Sequence, residues 1–502
     1  MSRVVVVGAG VGGLAVAARL AASGHAVTLC ERSTVVGGKL GRLDRETSAG
    51  TFRFDTGPSL VTLPQVLDDL FAAVGGGAPP MVPVDPIVRH VFPDGLVLDS
   101  TAEPAAFADR IAAVLGPSAA ADWRRLWRRA ARVWDASWRD VLRRPVGSPR
   151  DLAGLAWRLG DLAAVAPGRT LRGLGRAHLR DPRLRMLLDR YATYTGADPR
   201  RAPAALVAVP YAELAFGGWY LPGGLRTLAG ALLDRCQALG VTVRLGTPVD
   251  RVTTAAGRVT GVTLAGGTAL PADVVVSNVD AATLYRDLLP APRRLARLAD
   301  RSLAGFVLLL GVRGETPGQA HHTVYFPRDY DAEFDAVFGP PPRPAADPAV
   351  FVTVAADPLV RPPGHEAWFV LVNAPRHGLA GVDWRRPGLA EAYADRILDV
   401  LAARGADVRD RVVFREILTP AWLEAATAAP GGAIYGTAGA LLRPANRGPV
   451  EGLYLVGGSA HPGGGLPMVA LSAQIVAAEI DATPRRRAGR RAGRAGTPTA
   501  RG

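Results

Sequence analysis

The chain is poor in lysine, cysteine and long apolar runs, and each shortage rules something out. Lysine occurs once, at Lys39, within a total of 59 lysines and arginines. A bias this strong reflects nucleotide composition at the codon level, so abundant arginine is no sign of guanidinium chemistry in itself. The two cysteines, Cys30 and Cys236, supply neither a disulfide framework nor a zinc site; no metal is expected, and a reducing compartment fits. The longest apolar stretch, Leu303 to Val312, is far shorter than the roughly 20 residues of a spanning helix and reads as a buried strand. The first strand starts at Val4, which leaves no room for the apolar segment of a signal peptide and makes a cytoplasmic location the expectation. The net charge of +14 suggests a polyanionic partner until it is located: residues 484–502 hold seven arginines and no acid, half of that excess. Such an Arg/Gly/Ala/Pro segment has the composition of a disordered tail, with at most weak attraction to anionic headgroups, and no nucleic-acid partner is expected.

What is present begins at the N-terminus. Val4-Val5-Val6-Val7 suits a parallel strand buried on both faces. Gly8-Ala9-Gly10-Val11-Gly12-Gly13 follows, then an apolar helix to about Ser23, a second strand Ala26–Cys30, and Glu31. Three of the glycines have separate roles. Gly8 allows the tight turn, Gly10 lets the backbone come close to a pyrophosphate, and Gly13 permits helix–strand packing. The helix N-terminus favours phosphate, and Glu31 lies where a carboxylate can accept hydrogen bonds from ribose hydroxyls. Together these predict a dinucleotide site. A second fingerprint with a matching acid is absent, so no separate nicotinamide site is expected.

Further along, Gly37-Gly38-Lys39-Leu40-Gly41-Arg42 and Phe54-Asp55-Thr56-Gly57-Pro58-Ser59 read as glycine-rich loops able to run along a flat cofactor. The stretch from about Pro104 to Pro210 has helical spacing. Trp219-Tyr220-Leu221-Pro222-Gly223-Gly224-Leu225 leads into a helix to about Leu239, and short strands follow over Val241–Leu245, Val249–Val252, Val259–Leu264 and Asp273–Asn278. A strand-rich block runs from about Leu303 to Leu418. Then come the strand Leu453–Val456, the run Gly457-Gly458-Ser459-Ala460-His461-Pro462-Gly463-Gly464-Gly465-Leu466-Pro467, and a closing helix to about Ile480.

With its GGKLGR, FDTGPS, WYLPGGL, HHTVYF and LVGGSAHPGGGLPMVALSA segments, the chain resembles the bacterial-type carotenoid (phytoene) desaturase family over residues 1–480. The terminal block carries the resemblance more specifically than the dinucleotide motif. Two departures stand out. Lys39 replaces the usual arginine after paired glycines, and HPGGGLPM replaces HPGAG, a detail closer to enzymes acting on later acyclic carotenoids. The resemblance implies an α/β fold: a discontinuous Rossmann-type FAD-binding domain over residues 1–75, 220–290 and 445–482, a strand-rich substrate domain over 291–444, a helical substrate or membrane region over 76–219, and a disordered basic tail over 483–502. It implies FAD held by Gly8, Gly10, Gly13 and Glu31, with Gly38 and Lys39 near the phosphates, Gly57 alongside, Val249 at the adenine, Gly457 and Gly458 near the ribityl chain, and Met468 at a helix N-terminus beside the isoalloxazine. It implies desaturation of phytoene or a later acyclic carotenoid by hydride transfer to flavin. Oxidation of a terminal methyl group and flavin-dependent isomerisation stay open, as does a non-catalytic flavin scaffold. Oligomeric state is not readable.

Desaturation needs removal of a hydride equivalent and a proton, and a flavin supplies the hydride acceptor. His461 is the leading acid–base candidate; hydrogen bonding within a turn is the other reading. His321 and His322 are alternatives, of which only one can point at a substrate from a strand. A long polyene resides in the bilayer, so peripheral association with the inner face of the membrane is expected. Trp123, Trp127, Trp134 and Trp138 fall on one helical face with Arg124, Arg125, Arg128, Arg132, Arg139 and Arg143 opposite, the composition of an interfacial helix or of one docking its tryptophans into a core.

Overall fold

A computed structural model describes residues 1–148, 151, 158–379, 382–438 and 443–483. The basic tail expected over 483–502 therefore lies outside the described residues from 484 onward. At the centre is a five-stranded sheet in the order Leu453–Leu455, Val274–Ser277, Arg3–Val7, Ala26–Cys30, Thr242–Arg244, parallel throughout. The N-terminus, the middle and the C-terminus thus meet in one sheet.

The four consecutive valines explain the layers. Val4 and Val6 face helices Val11–Ala22, Thr227–Ala238 and Leu466–Ala482, packing with Leu14, Leu228 and Leu471. Val5 and Val7 face the other way, against Val252, Val259 and Val262 of a small antiparallel sheet built from Val249–Ala255, Arg258–Leu264 and Ala269–Pro271. Burial on both faces is what an unbroken apolar run encodes.

A seven-stranded sheet follows the order Val412–Leu418, Ala304–Arg313, His365–Ala374, Val350–Val354, His322–Tyr325, Arg89–Val91, Val97–Asp99. Phe306, Leu308, Trp368 and Val370 pack on one face beneath helix Leu389–Ala403. Val307, Leu309 and Phe369 point to the opposite face and meet Phe52 and Phe54 of the hairpin Arg42–Thr47/Gly50–Asp55. The region 76–219, expected to be helical, opens with short strands, two of which complete this sheet. Its helices come after Pro104, where proline repeatedly occupies the first turn because its missing N–H is not needed there.

Helix Pro117–Ser137 overturns the interfacial reading of the tryptophans. Trp123 and Trp134 are 3% and 7% exposed, and Trp127 and Trp138 pack against the same core. Trp123 meets Phe107 edge-on with ring centroids 5.3 Å apart, and Trp127 lies 4.6 Å from Tyr211. The stripe is the docking face of the helix, while Arg124, Arg125, Arg128 and Arg132 lie away from it. A wheel projection shows which residues share a face and not what that face meets, and here the meeting surface is protein. Among the described residues no helix is long and apolar enough to cross a membrane.

Candidate functional site

One cavity of about 1180 Å³ begins at the carboxyl ends of the parallel strands, where Gly8, Gly10 and Glu31 line it, the usual ligand crevice of such sheets. It runs on beneath the seven-stranded sheet, past Gly305, Val307, Phe351 and Leu371, to Trp134 and Leu162 of the helical layer. The volume exceeds the range of about 300–1,000 Å³ common for small-ligand pockets.

Its first end is a junction of glycines. Gly8 has φ +98, as its turn requires. A Cβ on Gly13 would stand 1.9 Å from the Gly8 carbonyl oxygen, so this residue permits the predicted helix–strand approach. Gly10 serves a purpose that sequence spacing does not show: its absent Cβ makes room for Asn278, whose Nδ2 would lie 2.7 Å away. A Cβ on Gly12 would lie 2.6 Å from Asn278 Oδ1 and 3.1 Å from Gly457 Cα. Asn278 is thus the wedge between the two glycine blocks, donating weakly to the Gly8 carbonyl at 3.4 Å. In the sequence it is only a strand end; its place after Val274–Ser277, a central parallel strand, is the one signal that could have found it.

The other cofactor candidates gather round this junction. Glu31 accepts from Ala9 N at 2.6 Å and Ser33 N at 2.8 Å, which fixes its carboxylate at the cavity wall. Gly38 (φ +58) approaches Gly10, with its would-be Cβ 3.2 Å from Gly10 Cα. Gly57 lets its loop press on Lys39, since a Cβ there would lie 1.9 Å from the Lys39 carbonyl oxygen. Val249, Gly458 and Met468 also line the cavity. The Lys39 ammonium is buried and donates to the carbonyls of Ala433 and Ile434 at 2.9 and 2.6 Å; burial holds its pKa down to about 8, opposed by nearby Asp280. Both helices that start here, Val11–Ala22 and Leu466–Ala482, lack a side-chain cap. Their first N–H groups have no partner from a cap.

Two of the glycine-bearing loops are clamped by buried acids. Asp55 accepts from Leu225 N at 2.7 Å and Arg226 N at 3.0 Å, and burial raises its pKa to about 6 against those hydrogen bonds. Asp357 accepts from the Tyr220 hydroxyl at 2.9 Å and Gly223 N at 2.7 Å. FDTGPS and WYLPGGL are therefore held together by the carboxylate–amide bonds of Asp55, and Asp357 braces WYLPGGL from the other side.

Of the three candidate histidines, His461 is 2% exposed, and its Nε2 lies 3.0 Å from the Val141 carbonyl and 2.9 Å from that of Arg144. Carbonyls only accept, so Nε2 carries the proton and donates it, and burial lowers the pKa. The ring ties the end of the tryptophan helix to the terminal glycine block, the hydrogen-bonding role that is the other reading, and it also lines the cavity with Nδ1 free of those bonds. His322 lines the cavity and bonds Ser59 Oγ through Nε2 at 2.8 Å. His321 meets Tyr220 edge-on instead, ring centroids 5.1 Å apart. Burial keeps both imidazoles neutral, that of His321 with a pKa of about 4. Sequence reasoning missed a further polar group on the cavity wall, Arg190 with Glu213 and Tyr194. Among the described residues no cluster of three or more His, Cys, Asp or Glu could hold a metal.

A parallel sheet with two uncapped helix N-termini at one glycine junction defines a dinucleotide-dependent oxidoreductase. The chain belongs to the flavin-containing amine oxidoreductase family, whose model matches residues 11–481, and within it to the carotenoid-modifying enzymes. It is 36% identical to a hydroxyneurosporene desaturase of Cereibacter sphaeroides, over 95% of this chain and 97% of that protein. It is 33% identical to a 4,4'-diapolycopene oxygenase of Methylomonas sp, over 95% and 98%. An all-trans-zeta-carotene desaturase of Myxococcus xanthus matches at 33% over 94% and 92%. Among solved structures, an oxidoreductase from Methanosarcina mazei has a TM-score of 0.64 at 18% identity, covering 94% of this chain and 99% of that one. A putrescine oxidase has a TM-score of 0.63 at 17% identity, covering 96% and 99%. The protein is an FAD-dependent oxidoreductase.

Proposed function

We propose that this enzyme desaturates an acyclic carotenoid, phytoene or a later intermediate. The observation that carries the reading is the single apolar passage joining the glycine junction to the far end of the seven-stranded sheet, which suits one long hydrocarbon lying against a flat cofactor. Bound FAD supplies the hydride acceptor. The residues fit it: Gly8, Gly10, Gly13, Gly38, Gly457 and Gly458 keep side chains out of the junction, and the two uncapped helix ends offer N–H groups to phosphate and to the ring. Glu31 would accept from the ribose hydroxyls and Val249 would meet the adenine, with Gly57 and Met468 in flanking contact; all four line the cavity. Lys39 fits as a buried cation near the phosphates rather than as a surface one. The division into 1–75, 220–290 and 445–482, 291–444 and 76–219 is kept as the working one, although strands Arg89–Val91 and Val97–Asp99 of the last region join the sheet of the second.

No side chain need act as the base. His322 with Ser59, and His461, are the histidine groups on the cavity wall, while apolar walls orient the chain and exclude water. Because the substrate resides in lipid, the enzyme works at the inner face of the membrane. Expression in cells accumulating phytoene, neurosporene or lycopene tests the reaction: loss of two hydrogens and a longer chromophore support it. A second reading, oxidation of a terminal methyl group, is supported by the 33% identity to a diapolycopene oxygenase over 95% of this chain, and a product gaining oxygen would establish it. An unchanged mass would mean isomerisation.

A further inference from the structure

Two departures from the family pattern, Lys39 for arginine and Gly464 of HPGGG for the alanine of HPGAG, lie far apart in the chain and meet at one short segment. Ala433-Ile434-Tyr435 is bounded by Gly432 (φ +71) and Gly436 (φ +75). Both glycines are also in close contact: a Cβ would stand 2.2 Å from the Pro420 carbonyl oxygen at Gly432, and 2.8 Å from Ser459 Cβ at Gly436. Between them three successive carbonyls accept from cationic side chains. The Lys39 ammonium takes those of Ala433 and Ile434, and Arg443 Nη1 donates to that of Tyr435 at 2.6 Å. Tyr435 N donates to Ser302 Oγ at 2.9 Å. The backbone is thereby fixed, and the side chain of Tyr435 is left to the cavity, which it lines together with Gly458, Gly464 and Arg443.

The Tyr435 ring occupies a notch that glycine provides. A Cβ on Gly464 would lie 2.4 Å from its Cδ1 and 3.3 Å from its Cε1, so the alanine of HPGAG and this ring could not both stand here. Gly464 in turn packs on Gly458, whose would-be Cβ lies 3.5 Å from Gly464 Cα. The ring therefore stands against the terminal glycine block, where the cofactor end of the cavity gives way to the apolar passage. Burial pushes the phenol up to about 12, so it stays neutral and is no base. What it contributes is shape. A hydrocarbon offers nothing to hydrogen-bond, so its register along a passage is set by the rigid surfaces it meets. We propose that Tyr435 is the specificity-determining stop that decides which carbon–carbon bond of the polyene is presented to the flavin, with Gly464 as the notch that seats its ring. This rests on the desaturase reading above and adds to it the residue that sets bond position.

The test uses the full-length, flavin-loaded protein with neurosporene and, in parallel, lycopene in phosphatidylcholine vesicles. The new bond is located by mass-spectrometric fragmentation, and affinity is read by quenching of flavin fluorescence. The wild type should attack one bond position first in each probe. Tyr435→Ala should keep its flavin yet give a second position at roughly a tenth or more of the product, since about 1 Å of misplacement changes reactivity ~100-fold. Tyr435→Phe, which keeps the ring, should keep the wild-type position. Gly464→Ala should weaken polyene binding at least ~5-fold in the wild-type background and by less than about twofold once Tyr435 is replaced by alanine, a coupling expected of groups in contact. Tyr435→Leu, bulky but not planar, takes the place of the alanine variant should that one lose its flavin. A mixture of positions from the wild type, an unchanged single position in Tyr435→Ala, or a Gly464→Ala effect equal in both backgrounds would overturn the proposal. Product mass is scored separately. A gain of oxygen, or no turnover of either probe, would sink the desaturase reading, and the stop is then judged on the carbon attacked or on the coupling in affinity alone. Loss of two hydrogens at the same position in the wild type and Tyr435→Ala would do the reverse.

Discussion

At the glycine end of the cavity the backbone does nearly all the work. Gly8 allows a turn at φ +98 that a side chain would strain, Gly10, Gly12 and Gly13 allow contacts that a Cβ would block, and helix ends present the N–H groups. At the far end side chains do it, with Arg190, Glu213, Tyr194 and His322 set into a wall of apolar strands and helices. The contrast matches the two ligands' chemistry. A dinucleotide is anionic and uniform, so amides suffice; a hydrocarbon offers no hydrogen-bonding group, so an apolar wall suits it.

The largest expected effect breaks the glycine end alone. In Gly13→Ala the new Cβ would sit 1.9 Å from the Gly8 carbonyl oxygen, and helix or strand must move. Purified variant should carry less than about a tenth of the wild-type flavin, read at the flavin absorbance maximum; full loading would show that the junction tolerates displacement. Next, Trp134→Ala strikes the helical layer. Its ring is 7% exposed and its loss should cost about 3–5 kcal/mol of stability by denaturant titration. Flotation with liposomes should be unchanged, because the ring faces protein.

The contrast between Gly13 and Trp134 also shows what the sequence could reveal. Gly8, Gly13 and Glu31 are legible because their spacing along the chain is their geometry. The cofactor strands are legible because continuous valine runs encode burial on both faces. Trp123 and Trp134 are readable as a stripe but not as a docking face, since the partners Phe107, Tyr211 and Phe216 lie on other elements. Arg190 carries no local signature, and Asn278 only its place after the strand Val274–Ser277. Each gains its meaning from residues brought in by long-range packing.

Smaller effects sharpen the comparison. His461→Ala removes the donor to two carbonyls, and leaving them unpaired should cost about 1–3 kcal/mol. Single-turnover flavin reduction should stay within about threefold in both His461→Ala and His461→Gln; a loss of ~100-fold would restore the ring to proton transfer. Acid should act on the far end through His90, whose pKa is pushed from 6.5 down to about 3 by burial and by Arg190. The unfolded chain takes up the proton first, so stability is full above pH 6.5 and is lost as pH falls from there toward 3. The slope reaches about 1.4 kcal/mol per pH unit for this group. Melting temperatures at about pH 7, 6 and 5 should show it, and His90→Asn should flatten the decline.

The order of strands has a consequence for how the protein comes into being. Leu453–Leu455 closes the central sheet beside Val274–Ser277, and Gly457 and helix Leu466–Ala482 complete the junction that Gly8 to Gly13 begin. On the ribosome the first half of the flavin cradle emerges at once, and the second emerges only as synthesis ends. For most of translation the nascent chain exposes a valine strand with an unpaired edge. Flavin supply during synthesis, and chaperones that shield that edge, should therefore govern the yield of active enzyme more than the stability of the finished fold does.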